Sequence, residues 1–495
     1  MLTSVERRFP VLWLWLLRAG MVVGVLAFGV AVGWIAVRMA RPWLLLPFVF
    51  LPLVGALGLG RARIEHGIVG VIAAAAVIRY TLPTGTRSRI PISLVLAGGV
   101  VAWWVASQWL ADRKVRLKPS PVNVPLLGFV AVSIISLPWS IAFRDVLVQP
   151  WPTWPFVQLG GLAVMVLLPG VFLVAAQQED TRWVRVLVGL LLVVGTAAIL
   201  RYYLRLPYLD FLQVRPLFPT WFICLALALG FFHRRLPLLL RLALVVLAGA
   251  WFYQVFVHQF RWLSSWVPAM AGLAAIGVLR SRKVLILLIV AVTLYVAFNL
   301  PAVEAKLQQE MVASGVTRVD AWLHNWRVTG EHWLFGVGPA GYAVYYMNYF
   351  PLEAMASHST YIDVLSQTGV VGLFFFLWFW AATGVVLWRL YRRVKGRQDF
   401  AEAFGLAAVG GYVGALVAMA LGDWIVPFVY TQTIAGFDYA VYTWALLGAA
   451  QALFLREQGS RREGSGEAGK QGSKEARKRG SREVGDESGC LGRRG

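Results

Sequence analysis

Apolar runs of about 20 residues, the length a helix needs to cross a bilayer, recur between residues 12 and 455 of this chain. Inside hydrocarbon every backbone N–H and C=O must find its partner within the protein, and consecutive apolar runs meet that demand as helices packed side by side. The expected fold class is therefore all-α, a polytopic transmembrane helical bundle of about 12–14 spans. With 59% hydrophobic residues and 23 tryptophans, a soluble core cannot absorb the apolar surface, and the lipid bilayer is the first partner expected.

A formal charge of +22 would by itself point to nucleic acid, but its placement does not. The basic residues gather in short clusters at alternate loops: Arg61/Arg63, Arg113/Lys114/Arg116/Lys118, Arg234/Arg235, Arg280/Arg282/Lys283 and Arg392/Arg393/Lys395/Arg397. Such clusters stay in the cytoplasm, so both termini are expected to be cytoplasmic, and nucleic acid is rejected as a partner. The first apolar stretch follows Glu6, Arg7 and Arg8 and reads as a retained span rather than a cleaved signal. Cys224 in an apolar run and Cys490 in a polar tail provide neither a disulfide framework nor a thiolate metal site.

Four regions follow. N-terminal transmembrane helices occupy residues 1–299, a large extracytoplasmic loop residues 300–357, and C-terminal transmembrane helices residues 358–455. Residues 456–495, rich in Gly, Ser, Glu, Arg and Lys, are too polar to bury a core and are expected to be a disordered basic cytoplasmic tail. Long loops with structure of their own are usually functional. Within this one, Thr317–Trp333 places Val319, Trp322, Leu323 and Trp326 at helical spacing, with Asp320, His324, Arg327 and Glu331 mostly opposite. An interfacial helix is expected, with Trp322, Trp326 and Trp333 at headgroup level. Gly336, Gly338, Pro339 and Gly341 then turn the chain back toward the ends of the spans.

The outer segments carry Arg87, Arg89, Arg144, Arg201, Arg205, Arg215, Arg261, Arg318 and Arg327, with Lys306 as their one clear lysine. A guanidinium keeps its charge and grips phosphate oxygens at two points, so outward arginines that oppose the topology rule indicate an anionic ligand such as a lipid diphosphate. Taken singly, each also reads as a helix-end anchor. Arg215, Arg261 and Arg318 lie at similar depth, where convergence is expected. His258 shares a face with Arg261 three residues on, and also reads as a solvated interfacial residue. His358 sits where the loop returns to the membrane, and a neutral imidazole suits proton removal from a sugar hydroxyl; a capping role is the alternative. Asp363, inside the following helix, could orient a partner. His324, His332 and His358 match no compact metal-ligand spacing and the loop holds no aspartate pair, so no metal is expected. Phosphate-loop, nucleophile-elbow and dinucleotide motifs are absent from the sequence, and no cofactor is expected.

Arg318-x-x-x-Trp322, Phe335-Gly336-Val337-Gly338-Pro339, His358-Ser359-Thr360-Tyr361 and Gly369-Val370-Val371-Gly372 together resemble, in order and spacing, the core signature of the O-antigen ligase and O-antigen polymerase superfamily. Arg215 before Pro219 and Arg261 before Ser264/Ser265/Trp266 look like that family's two upstream arginine positions. The resemblance is strongest from about residue 200 to 390. Two positions depart from it: Ser359 stands where the family commonly has asparagine, and Gln367 where it often has glutamate. The resemblance implies a bacterial, metal-independent C-type glycosyltransferase of the cytoplasmic (inner) membrane. Its donor would be an undecaprenyl-diphosphate-linked glycan, and its acceptor a lipid, glycan or protein. Arg215, Arg261 and Arg318 are then assigned to the diphosphate and His358 to the acceptor hydroxyl, with Trp322, Gly336, Gly338, Ser359, Tyr361 and Asp363 in support. Fixed arginines would stabilise the leaving diphosphate, and direct displacement would invert the anomeric centre. The rival reading is a transporter or flippase for the same lipid-linked glycans, but largely apolar mid-span segments favour an enzyme.

The topology is directly testable. A cysteine placed at Ser314 should react with a membrane-impermeant thiol reagent from outside intact cells; labelling only after the cytoplasmic face is opened would reverse the orientation of every span.

Overall fold

The computed structural model of the chain describes residues 63–83, 89–209, 212, 214, 217–258, 263–280, 282–310, 316–351 and 357–459. The expected spans before residue 63, Arg215, Arg261 and the tail beyond residue 459 lie outside these residues. The described chain is a helical bundle. Its first helices are α1 (Ile64–Val77), α2 (Ile92–Asp112), α3 (Asn123–Ala142), α4 (Trp154–Gln177) and α5 (Arg182–Leu204). There follow α6 (Leu217–Phe232), α7 (Leu238–Tyr253), α8 (Leu263–Arg280) and α9 (Arg282–Phe298). The region expected to be a loop is itself helical, with α10 (Leu300–Glu310), α11 (Val316–Glu331) and α12 (Tyr342–Tyr349), so the helix expected over Thr317–Trp333 is α11. Next come α13 (Thr360–Val394), α14 (Phe400–Leu421) and the short α15 (Val429–Gln432). A final helix, α16, covers 437–459.

Seven helices among the described residues are long and apolar enough to cross a membrane: α2 to α5, Leu238–Phe256, α13 and α14. Shorter apolar helices, including α1 and α6, complete the bundle. α6 spans 16 residues and buries nearly all of them, from Leu217 through Gly230, because α7, α8 and α14 pack around it. One small antiparallel hairpin, β1 (Thr81–Pro83) with β2 (Arg89–Pro91), pairs Leu82 with Ile90 ahead of α2. It is a minor feature of an all-α bundle, and its proline ends limit how far the ladder can extend.

α13 is not one continuous helix. At Gly369 the backbone turns to φ 68° and ψ −170°, a conformation open almost solely to glycine. An unbroken helix would carry bonds from Val370 N–H to Ser366 O and from Val371 N–H to Gln367 O. The break frees all four groups, and the segment before α12 takes each of them. Val337 N–H donates to Ser366 O and Gly338 N–H to Gln367 O, both at 3.0 Å; Val370 N–H donates to Trp333 O at 2.8 Å and Val371 N–H to Leu334 O at 3.4 Å. The loop is thus joined to a span by a strand-like exchange that pairs all four of these backbone groups. Gly336, at φ 67°, faces the break closely: a Cβ there would lie 2.6 Å from Ser366 O and from the Gln367 carbonyl carbon.

Gly369→Ala should therefore lower stability by about 1–3 kcal/mol from backbone strain alone, seen as a lower thermal unfolding midpoint in detergent. Gly330→Ala in α11, where a Cβ would meet nothing within 4 Å, should be neutral or slightly stabilising. Equal midpoints for Gly369→Ala and the unaltered chain would mean that the break is not a fixed feature.

Candidate active site

α11 lies on α13 through its small and polar face, not its aromatic one. Ala321, Asn325, Val328 and Thr329 are buried, with Thr329 Oγ1 donating to Ser366 Oγ at 3.3 Å and Ser366 Oγ to Asn325 Oδ1 at 3.2 Å. Val319, Trp322, Leu323 and Trp326 remain exposed, as an interfacial face requires. Trp322 still makes one inward bond: its indole N–H donates to Ser357 O at 2.6 Å. That bond ties α11 to the residue immediately before His358. Arg318, one turn before Trp322 and partly buried, is brought to the same corner.

His358 has φ 49°, a left-handed conformation uncommon for any residue with a Cβ, although histidine enters it more readily than most. Its neighbours hold the chain on both sides. Ser357 Oγ donates to Asp363 Oδ1 at 2.6 Å and accepts from Ser359 N–H at 3.1 Å. Ser359 Oγ donates to Met419 O at 3.3 Å, Thr360 Oγ1 to Gly422 O at 2.9 Å, and Tyr361 OH to Leu416 O at 3.0 Å. Met419 O is among the last carbonyls of α14, which lack intrahelical donors. Ser-Thr-Tyr is therefore a side-chain clamp between the start of α13 and the end of α14. Ser357, Ser359 and Thr360 are buried, whereas His358 between them is only partly so.

Beneath His358 lies a closed polar knot. Asp363, 1% exposed, also accepts from Tyr342 OH at 3.0 Å, and the Tyr342 ring stacks on Phe428 with centroids 4.2 Å apart. Burial, and then the nearby Asp363 carboxyl, hold the Tyr342 phenol well above its ordinary pKa, so it serves as a donor. Phe428 is fixed in turn by Asp423, which accepts from Phe428 N–H at 3.4 Å, from Gln432 Nε2 at 3.2 Å and from Thr431 Oγ1. Gln367 completes the structure: its Oε1 accepts from Ala340 N–H at 2.7 Å while its Nε2 donates to Asp363 O at 3.0 Å. A glutamate, being acceptor-only when ionised, could not make the second bond, and this accounts locally for the amide. Gly338, φ 90°, rests against Ser140 and Gln158, and a Cβ there would lie 3.0 Å from Gln158 Oε1.

The α3–α4 connection closes one flank. Tyr349 OH donates to the Asp145 carboxylate, and Asn348 Nδ2 donates to Gln149 O at 3.3 Å. The Tyr349 bond, then the Leu147 N–H, hold the Asp145 carboxyl below the usual carboxylate range. The same bond is the main cause that pushes the Tyr349 phenol up to about 12. Burial pulls the His332 imidazole below its ordinary value, against the opposing pull of Glu331 and Asp145. His324 instead packs on Phe350, with ring centroids 3.9 Å apart. Among the described residues no group of three or more His, Cys, Asp or Glu side chains is placed to hold a metal ion.

Of the residues singled out from sequence, Trp322, Ser359 and Asp363 are bonded to Ser357, immediately before His358; Tyr361 reaches Leu416 in α14, and Arg318 stands one turn before Trp322 in α11. Gly336 and Gly338 dock the segment leading into it. His258 lies at the end of α7, but its side chain is outside the described residues. Sequence reasoning missed Tyr342, Ser357 and Asp423. Tyr342 is the first residue of a run containing Tyr345, Tyr346 and Tyr349, and nothing in that run distinguishes the one that meets Asp363.

Tyr342→Phe should lower the stability by about 1–3 kcal/mol, because Asp363 would lose a buried donor. Tyr345→Phe, whose hydroxyl accepts a 3.3 Å bond from Asp145 N–H, should cost about 1 kcal/mol or less. Thermal unfolding of the two variants side by side checks the order, and a smaller loss for Tyr342→Phe would contradict it.

Residues 219–377, which run from the first turn of α6 to the middle of α13, match the family model described as O-antigen ligase. Among curated proteins, none matches the chain.

Proposed function

Because residues 219–377 match the O-antigen ligase family model, we propose that the chain is a member of that superfamily and a membrane glycosyltransferase whose donor is a polyprenyl-diphosphate-linked glycan. Undecaprenyl diphosphate is the carrier assigned, and a hydroxyl of a lipid, glycan or protein is the acceptor. The active corner lies on the outer face of a bacterial cytoplasmic membrane, with both termini inside. The observation that carries this reading is His358: a left-handed residue between two clamped serines, tied through Trp322 to the helix that bears Arg318.

The chemistry is a single displacement. His358 takes the proton of the acceptor hydroxyl as its oxygen bonds to the anomeric carbon. The bond from that carbon to the phosphate oxygen breaks, and the diphosphate leaves with the electron pair. Arg318, joined by Arg215 and Arg261, receives the developing charge through bidentate contacts. Attack opposite the leaving group inverts the anomeric centre. The arginines supply the charge stabilisation that a divalent ion would otherwise provide, so the transfer proceeds without a metal. The largely apolar sequence of the mid-span segments supports an enzyme over a transporter.

His358→Ala should reduce transfer by about 100-fold to 10,000-fold while donor affinity and the thermal midpoint stay near those of the unaltered protein. Arg318→Lys, which keeps the charge but loses the two-point grip, should weaken donor binding and turnover together. Both can be measured with a lipid-linked donor and protein purified into nanodiscs. Near-normal turnover in His358→Ala would rule out the general-base role.

A further inference from the structure

α13 carries His358 just before its first turn, whereas Arg392, Arg393, Lys395 and Arg397 stand at its other end. Even counted only from the Gly369 break, the helical stretch from Val370 to Val394 rises roughly 37 Å at about 1.5 Å per residue, more than the thickness of the hydrocarbon layer. Beyond the second end a cavity of about 520 Å³ opens between the starts of α5 and α14, the turn after α6 and the end of α16. Arg185, Arg235, Arg397, Arg456 and His233 line it, with Asp399 and Glu457 as the carboxylates.

Those two carboxylates are already engaged. Glu457 takes Arg397 in a two-point contact, and Asp399 caps α14 by accepting Glu402 N–H at 3.1 Å. Arg456 donates to the neutral hydroxyl of Thr181, and Arg185 lies over the Phe400 ring, 5.9 Å from its centroid. Among the described residues, none of the ion pairs seen includes Arg185, Arg235 or Arg456; Arg456 lies near Asp180, which Arg63 already takes at 3.1 Å. The starts of α5 and α14 also direct the positive ends of two helix dipoles at this space. The sequence after α16 does not balance the charge, since residues 460–495 hold ten Lys/Arg against six Asp/Glu.

We propose that this cavity is a phosphate-binding site on the face opposite the active corner, taking the headgroup of an anionic phospholipid. Guanidinium forks match phosphate oxygens, and a site at the end of a membrane-crossing helix meets headgroups of the adjoining leaflet. Its role is separate from the transfer reaction: it fixes the ends of α5, α14 and α16 against one another through the bound anion.

The test uses the full chain in nanodiscs of phosphatidylcholine. Replacing part of that lipid with phosphatidylglycerol should raise the thermal midpoint by several degrees, both in the unaltered protein and in an Arg113→Gln/Arg116→Gln control that removes the same charge from another cluster. The rise should be lost in Arg185→Gln/Arg235→Gln. Arg235→Glu, at an exposed position, provides a second variant with little effect on packing and should lose it too. Adding inorganic phosphate to phosphatidylcholine discs separates the sources: a rise with phosphate alone keeps the site but overturns its assignment to lipid. No rise with either, or an equal rise in the cavity variants and the control, overturns the site itself.

Discussion

Four backbone hydrogen bonds at the Gly369 break hold the rest of the candidate site in place. A span and an extramembranous segment ordinarily meet through side chains, which leaves their relative position adjustable. Here Ser366, Gln367, Val370 and Val371 exchange their helical partners for Trp333, Leu334, Val337 and Gly338. The two bonds to the buried Ser366 and Gln367 carbonyls are costly to break, because a freed buried group would stay unpaired. The exchange fixes the segment before α12 to within a hydrogen-bond length, and with it the start of α12, where Tyr342 meets Asp363. From Asp363 the constraint passes to Ser357, and so to the backbone on which His358 is mounted.

The residues around His358 divide into those that hold and the one that is held. Ser359, Thr360 and Tyr361 direct their hydroxyls to carbonyls of Met419, Gly422 and Leu416. They join α13 to α14 in the way that small polar side chains join membrane helices, each bond individually modest. Ser359 therefore has a structural task, whatever residue relatives carry at that position. The same holds for Gln367, whose amide bridges Ala340 and Asp363 by using a donor and an acceptor at once.

Much of this was legible in the sequence, and the rest was hidden for physical reasons. Apolar runs and basic clusters report burial in lipid directly, so the helical bundle could be read from them. The α11 helix could be read too, since its exposed Trp322, Leu323 and Trp326 stand at helical spacing. What the pattern concealed is that α11 docks by Ala321, Asn325, Val328 and Thr329, because a buried stripe of small and polar residues looks like a solvated face. The break at Gly369 was visible only as a glycine in an apolar run, where packing and bending give the same signal. Tyr342 was hidden because its partner is distant in the chain, Asp363 lying 21 residues away, and Asp423 because its partners Phe428, Thr431 and Gln432 stand at no regular helical or strand spacing from it. The count of spans could not be read closely either, since α6 crosses the core with 16 residues, sheltered from lipid by its neighbours.

The left-handed backbone at His358 is the point at which stability and function separate. A non-glycine residue in that region costs about 1–3 kcal/mol and persists only when its surroundings over-determine it. The surroundings here do so: Ser357 is bonded to Trp322, Asp363 and Ser359, and Ser359 to Met419. A capping role would not require this arrangement, because a cap residue adopts an ordinary extended backbone, and that place is taken by Ser359 at φ −146°. Under the mechanism proposed above, that strain is the cost of holding the residue assigned to the acceptor hydroxyl next to the Trp322–Ser357 contact, and the two clamps beside it are what make that cost sustainable.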